Sequence, residues 1–374
     1  MRRTIALGLS ISWALGAAAP FGLSMLLVVS GETFRGHLFG LVACLLLALP
    51  LIALRVLVAP TRARWETLAV ASAVFLVGWI SLYRLAPSGS PLPESRLRSD
   101  FLGTPRYSRR ALSSLLPEID QVSLGTRIVY FVDPIIDYEQ ANRIRQVSMR
   151  AYVPMEADPE FAALGSVMGF AYWDEDPHHI YAYAPPHAAG ERLATIVFLH
   201  GSAGAFKAYF YLWKRFADDN HIAVVCPSFG FGNWYEPGGT DAILRARQYA
   251  VDRLDADERR IVLAGLSNGG TGVTRAIDEH RSRYAGFVFI SAVIEPAVTR
   301  RASFVTGIAQ EPVLVIHGDQ DDRIPIDIVL DQADVMKRDG AKVETLSVPG
   351  QDHFLFFDRP EIVLDRVAGW LKTI

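Results

Sequence analysis

The chain begins with three long apolar runs and then changes rhythm. Residues 5–30 carry no charged side chain, residues 38–59 carry only Arg55 near their end, and residues 67–83 close on Trp79 and Tyr83. At 1.5 Å per residue the first run reaches roughly 39 Å, enough to cross a hydrocarbon core of about 30 Å. Trp79 and Tyr83 fit an interfacial aromatic belt. The pattern predicts three transmembrane helices and a membrane region over residues 1–86. The stretch APSGSPLPES (86–95) is dominated by Pro, Gly and Ser. It reads as an extended spacer, with a linker over residues 87–99. Between about 100 and 190 the pattern is weaker: RIVYFV and IYAYAP look like strands, and DYEQANRIRQVSMRAY fits a helix or a strand.

From residue 192 short apolar runs alternate with amphipathic stretches. LATIVFLHG, IAVVCPSFG, RRIVLAGLS, AGFVFISA, PVLVIHGD and KVETLSVPG read as buried strands. AYFYLWKRFADDN, TDAILRARQYAVDRL, GGTGVTRAIDEHRSRY, PIDIVLDQADVMKRDG and the tail PEIVLDRVAGWLKTI have helical spacing. Continuous apolar strands alternating with such helices predict an α/β unit, a parallel sheet covered on both faces. It is expected over residues 100–374, with a clear core over 192–374. Ligands of such sheets bind at the carboxyl ends of the strands.

Composition sharpens this picture. Apolar residues make up 51% of the chain and mean hydropathy is +0.21; the excess sits in the first eighty-odd residues. Arg2 and Arg3, followed by an apolar stretch and Ala17-Ala18-Ala19, also fit a cleavable export signal. Pro20 after that site, and apolarity continuing to Val29, favour an uncleaved helix. Arg2, Arg3, Arg62 and Arg64 flank the start and the second connection, whereas the first connection has Arg35 alone. The positive-inside rule then places everything after Tyr83 on the extracytoplasmic side. A formal net charge of −3 argues against a nucleic-acid partner. The two cysteines, Cys44 and Cys226, make no disulfide framework and no zinc pair. The cluster WDEDPHH (173–179) reads as a solvated turn in preference to a metal site, and no cofactor is implied.

Candidate chemistry lies at five strand ends. In IVLAGLSNGGTGV, Gly265-Leu266-Ser267-Asn268-Gly269 fits G-x-S-x-G between a strand and a helix, the context that pattern requires. A sharp turn would expose the Ser267 hydroxyl above the sheet, with a helix N-terminus behind it. FLHGSAG follows another strand, and the backbone N–H groups of Ser202 and Asn268 are the candidate oxyanion donors; His200 packs under that loop. VLVIHGDQDDRIP supplies three acids. Asp321 is chosen to orient a histidine, Asp319 to brace the turn and Asp322 to face solvent, with His317 structural. PGQDHFLFF supplies His353, which can take the Ser267 proton and return it to a leaving group. The loop PSFGFGNWYEPGG brings Phe229, Phe231, Trp234 and Tyr235 to a strand end, to line an acyl or aromatic pocket or to anchor the loop.

HGSAG, GLSNGG, HGDQDDRIP and GQDH, in the chain order Ser267, Asp321, His353, resemble the α/β-hydrolase superfamily. GLSNGG and HGDQDDRIP look most like the group of prolyl-oligopeptidase-type peptidases, dienelactone-hydrolase-like proteins and carboxylesterases. The resemblance covers residues 193–374. It implies the α/β-hydrolase fold and a Ser–His–Asp hydrolase. The chain departs from the oligopeptidases in lacking a long propeller region and in placing Asn268 where they have Tyr, and from dienelactone hydrolases in using Ser for Cys. Many members insert a helical cap after the strand that follows the nucleophile helix; here about twenty residues separate FVFISA from PVLVIHG, too few for one. The expectation is a membrane-anchored esterase acting on a small-molecule or lipid-like ester. A serine peptidase, or an inactive hydrolase fold used as a binding module, are the alternatives.

Overall fold

The computed structural model describes residues 2–102, 112–168, 179–280 and 283–374. The chain divides into one unit of Met1–Ser88 and Ser108–Arg145 and a second of Gly89–Tyr107 and Gln146–Ile374.

In the first unit, α1 (Arg2–Ser30), α2 (Phe34–Val58) and α3 (Arg62–Leu85) are long and apolar enough to cross a membrane. Apolar surface gives no net drive between helices in lipid, so close backbone approach must hold them together. A Cβ on Gly40 of α2 would lie 2.7 Å from the Ser24 carbonyl oxygen of α1, and one on Gly78 of α3 would lie 2.6 Å from Val42 Cγ2. The Trp13 indole N–H donates to the Leu47 carbonyl at 2.8 Å. Thr33 and Thr61 cap α2 and α3 by accepting from the Gly36 and Arg64 amides.

Two further helices of this unit are α4 (Leu112–Leu115) and α5 (Glu118–Ile128). Leu115 packs with Val42, Leu82 and Ala86. Asp120 of α5 accepts hydrogen bonds from the Glu32 amide at 2.6 Å and the Thr33 amide at 3.3 Å, and from Thr33 Oγ1 at 2.6 Å. A side chain on Gly36 would strike that carboxylate, at 2.2 Å. RIVYFV, expected as a strand, is instead the end of α5 followed by a 3-10 turn at Val129–Phe131. Phe131 and Val132 are exposed and the segment has no ladder partner in the sheet, so nothing holds it extended. DYEQANRIRQVSMRAY resolves as helix α6 (Tyr138–Ala157).

The second unit is built on an eight-stranded sheet in the order β1-β2-β4-β3-β5-β6-β7-β8. β1 (Arg98–Phe101) and β2 (His179–Tyr183) pair antiparallel with each other, and β2 pairs antiparallel with β4. β3 (Leu193–Leu199), β4 (Ala223–Pro227), β5 (Ala256–Leu266), β6 (Gly286–Ile290), β7 (Pro312–Gly318) and β8 (Lys342–Val348) are parallel. The crossovers are α7 (Lys207–Asn220), α8 (Gly239–Arg253), α9 (Gly269–His280) and α10 (Ile326–Arg338), and α11 (Pro360–Leu371) closes the chain.

Both sheet faces are buried, as the unbroken apolar strands require. Val197, Leu263, Phe287 and Val313 pack with Ala246, Ile277, Phe304 and Val329. Phe198, one residue on and so on the other face, meets Tyr209, Trp213 and Phe356 at ring distances of 5.4–5.9 Å. Each of the larger fully buried side chains contributes roughly 1.5–3 kcal/mol. Leu199, Gly265, Phe289, Val315 and Thr345 stand level across the parallel strands. The loops that carry the candidate chemistry therefore leave one edge.

Candidate active site

β5 stops at Leu266 and α9 starts at Gly269, so two residues reverse the chain. Ser267 takes φ +52°, a left-handed conformation that costs a non-glycine residue on the order of 1 kcal/mol. The turn is over-determined by its backbone bonds. The Ser267 amide donates to Ile290 at 3.2 Å, and its carbonyl accepts from Gly270 and Val293 at 3.0 Å each. The flanking glycines are there because the backbones touch. A Cβ on Gly265 would come within 2.6 Å of the Gly269 carbonyl, and one on Gly269 within 2.3 Å of the Leu199 carbonyl.

Ser267, His353 and Asp321 meet. Ser267 Oγ lies 2.9 Å from His353 Nε2, and His353 Nδ1 lies 2.8 Å from Asp321 Oδ2. The ends of β7 and β8 are clipped together to achieve this: the Gln320 amide donates to Gln351 at 2.9 Å, and the Gly350 amide donates to Asp319 Oδ1 at 2.7 Å. Asp319 thus braces the turn, and Asp322 is exposed. Asp321 is buried. Its Oδ1 accepts from the Arg323 and Ile324 amides at 3.0 and 2.9 Å. Burial by itself raises its carboxyl, but hydrogen bonds from His317, His353 and the Ile324 amide outweigh that and hold it well below the usual carboxylate range.

His317 does more than fill space. Its Nε2 lies 2.8 Å from the Ile324 carbonyl, which can only accept, so Nε2 carries the proton. The same N–H points at Asp321 Oδ2, 3.2 Å away. Asp321 Oδ2 therefore faces two imidazoles. Sequence reasoning missed this contact, although the spacing of four between His317 and Asp321 was visible.

The loop after β3 crosses directly over the serine. A Cβ on Gly201 would stand 3.0 Å from Ser267 Cβ and 3.7 Å from its Oγ. Asn268 Nδ2 donates to Ser202 Oγ at 3.1 Å, tying the two residues whose amides are the candidate oxyanion donors. Among the described residues no other group takes either amide. His200 is buried; its Nδ1–H donates to Gly201 at 2.7 Å and its Nε2 accepts from the Phe229 amide at 3.0 Å. One nitrogen donates and the other accepts, so the ring is neutral, and burial lowers its pKa to about 4. It supports the loop, as its position after β3 suggests.

The four aromatics of the loop after β4 separate into two pairs. Trp234 is buried, stacks on buried Phe229 at 5.3 Å and spends its indole N–H on the His200 carbonyl at 2.9 Å. Those two rings anchor the loop. Phe231 and Tyr235 are exposed. β6 and β7 are joined by two short helices, Pro296–Thr299 and Ala302–Ile308. Cys44 and Cys226 are both free and buried. Residues 173–178 of WDEDPHH lie outside the described residues. His179 is a buried β2 residue whose Nε2 is 2.9 Å from Ser99 Oγ, and burial lowers its pKa to about 3.

Residues 196–310 match the alpha/beta hydrolase family, and residues 295–374 match the prolyl oligopeptidase family. The uncharacterized protein YfhR of Salmonella typhi is 23% identical over 209 residues, which are 47% of this chain and 69% of that protein. Its counterpart in Salmonella typhimurium is 24% identical over the same shares. Among solved structures, the fluorophosphonate-binding serine hydrolase FphF of Staphylococcus aureus is 17% identical with a TM-score of 0.45, covering 53% of this chain and 94% of its own. The Pyrobaculum calidifontis esterase is 17% identical with a TM-score of 0.46, covering 66% and 97%.

Proposed function

From a chain with an α/β-hydrolase fold and three apolar N-terminal helices, we propose a membrane-anchored serine hydrolase that cleaves carboxylic esters. The observation that carries this reading is the hydrogen-bonded sequence Ser267 Oγ, His353, Asp321 at 2.9 and 2.8 Å. His353 Nε2 takes the Ser267 proton as Oγ attacks the ester carbonyl. Asp321 holds the ring by Nδ1 and stabilises the imidazolium that forms. The amides of Ser202 and Asn268 receive the developing oxyanion. His353 then gives its proton to the leaving alcohol, and water repeats the cycle on the acyl-enzyme. Phe231 and Tyr235 offer exposed ring surface to the acyl group.

The test is covalent labelling of the full chain with a fluorophosphonate. Labelling is expected in the native protein and lost in Ser267→Ala, with kcat on p-nitrophenyl esters falling at least about 10⁴-fold. A folded native protein that resists the probe overturns the reading. The match of residues 295–374 to the prolyl oligopeptidase family favours a second reading, peptide cleavage by the same three residues. Turnover of peptide amides above that of esters would establish it. The arginine distribution supports a hydrolase unit on the extracytoplasmic side. Alkaline phosphatase fused after Ser90 is then active, and a well-expressed inactive fusion inverts the orientation.

A further inference from the structure

Two cations of the first unit reach back to one carboxylate. Glu32, in the connection between α1 and α2, lies 3.5 Å from Arg127 and 3.2 Å from Arg145, and accepts from Ser123 Oγ at 2.6 Å. Residues 128–144 are therefore an excursion that leaves from and returns to the ends of two membrane-spanning helices. Its tip exposes apolar side chains, with the exposed carboxylates Asp137 and Glu139 at its edge. Phe131 is 73% exposed, Val132 78%, Ile135 52% and Tyr138 62%. Tyr130 joins them, with its ring 4.1 Å from Phe131 and 5.5 Å from Tyr138.

The tip is built, since Ile136 turns inward and is buried. Four amides of the tip are paired within the excursion: Val132 and Asp133 donate to Val129 at 2.9 and 2.8 Å, Ile136 donates to the Asp133 carbonyl at 3.2 Å, and Ile135 donates to Asp133 Oδ1 at 3.0 Å. A segment with its polar backbone paired and its aromatic and aliphatic side chains outward can enter the headgroup boundary without the cost of bare amides. A contiguous exposed apolar cluster marks a contact surface, and its tether to Glu32 sets it at the level where α1 and α2 meet the interface.

We propose that Phe131, Val132, Ile135 and Tyr138 form an interfacial membrane contact that dips into the leaflet on the side of the α1–α2 connection. The occupant is the lipid surface itself, because the patch belongs to the same unit as the three spanning helices and is tied by Arg127 and Arg145 to Glu32 at the end of two of them. The inference rests on those helices being in a bilayer.

The experiment places a nitroxide at Val132→Cys, and separately at Ile135→Cys, of the full chain in phosphatidylcholine nanodiscs. Labels at Val77→Cys on α3 and Asp334→Cys on α10 give the lipid and water references. Cys44 and Cys226 are buried, and the labelled native chain serves as blank. The expected result is collision with oxygen in preference to a water-soluble nickel chelate at 132 and 135, as at 77 and opposite to 334. Water-like collision at both sites, with 77 lipid-like, overturns the contact and leaves the anchor standing. A water-like result at 77 overturns the anchor and the contact together. Spin–spin broadening that fades on dilution with unlabelled chain, without oxygen preference, assigns the patch to a second copy and overturns the proposal.

Discussion

Asp321 is held from four directions, by the Arg323 and Ile324 amides and by the His317 and His353 rings. Asp321→Asn keeps the volume but offers one oxygen and two N–H donors, so it cannot accept from both rings and both amides. His353 then loses the partner that fixes its Nδ1–H tautomer, and kcat should fall roughly 10³–10⁴-fold. Fluorophosphonate labelling should slow in parallel, while circular dichroism stays native. A loss under tenfold would show that Asp321 is not the orienting carboxylate. At this scale the candidates were legible because three strand-end motifs came in the order Ser267, Asp321, His353. Asp321 was preferred over Asp319 from the motif alone, and the structure adds the physical reason: Asp319 Oδ1 is occupied by the Gly350 amide. Trp234 was legible as an aromatic at a strand end. Its indole N–H bond to the His200 carbonyl joins loops 34 residues apart, which no local pattern announces.

The turn between β5 and α9 makes a prediction at the level of elements. A Cβ at Gly269 meets backbone, the Leu199 carbonyl oxygen at 2.3 Å, so β3 or the helix start must move. Gly269→Ala should cost several kcal/mol or prevent folding. Gly369 lies inside α11, and a Cβ there meets nothing within 4 Å. Gly369→Ala should therefore stabilise by about 0.5–1 kcal/mol through helix propensity. Urea unfolding of the two variants reads both signs, and equal effects would refute the steric account. The inner parallel strands β3, β4, β6 and β7 were legible because both of their faces are buried, which leaves an unbroken apolar run. β1 was not, since its four residues, RSDF, include two charges. The RIVYFV segment misled because its apolar run continues from a helix end into exposed Phe131 and Val132, a placement that composition does not distinguish from a strand's.

Acid sensitivity belongs to the whole molecule. His179 and His200 are buried, and burial lowers their pKa values to about 3 and about 4, against about 6.5 in an unfolded chain. As pH falls from about 6.5 to about 4, the unfolded chain binds a proton at each ring and the folded chain binds neither. Stability must then fall by about 1.4 kcal/mol per pH unit for each histidine, or about 2.7 kcal/mol per unit for the pair. Asp321 works in the same direction but later. Its depressed carboxyl contributes stability that is whole above the ordinary carboxylate range, begins to be lost as pH falls into that range and is gone below its own lower value. Between pH 6.5 and 5, above the ordinary carboxylate range, the slope is therefore chiefly a histidine slope. Thermal unfolding of the full chain in nanodiscs at pH 7.5, 6 and 5 should show a smaller loss per pH unit between 7.5 and 6 than between 6 and 5. His179→Phe suits the ring's surroundings, because Phe101 and Tyr181 pack edge-on against it at 4.9 and 4.4 Å, and it removes one titrating group. The variant should keep about half the slope whatever its stability at neutral pH. A melting temperature independent of pH from 7.5 to 5, or an unchanged slope in His179→Phe, would mean that these rings reach solvent and protonate without unfolding.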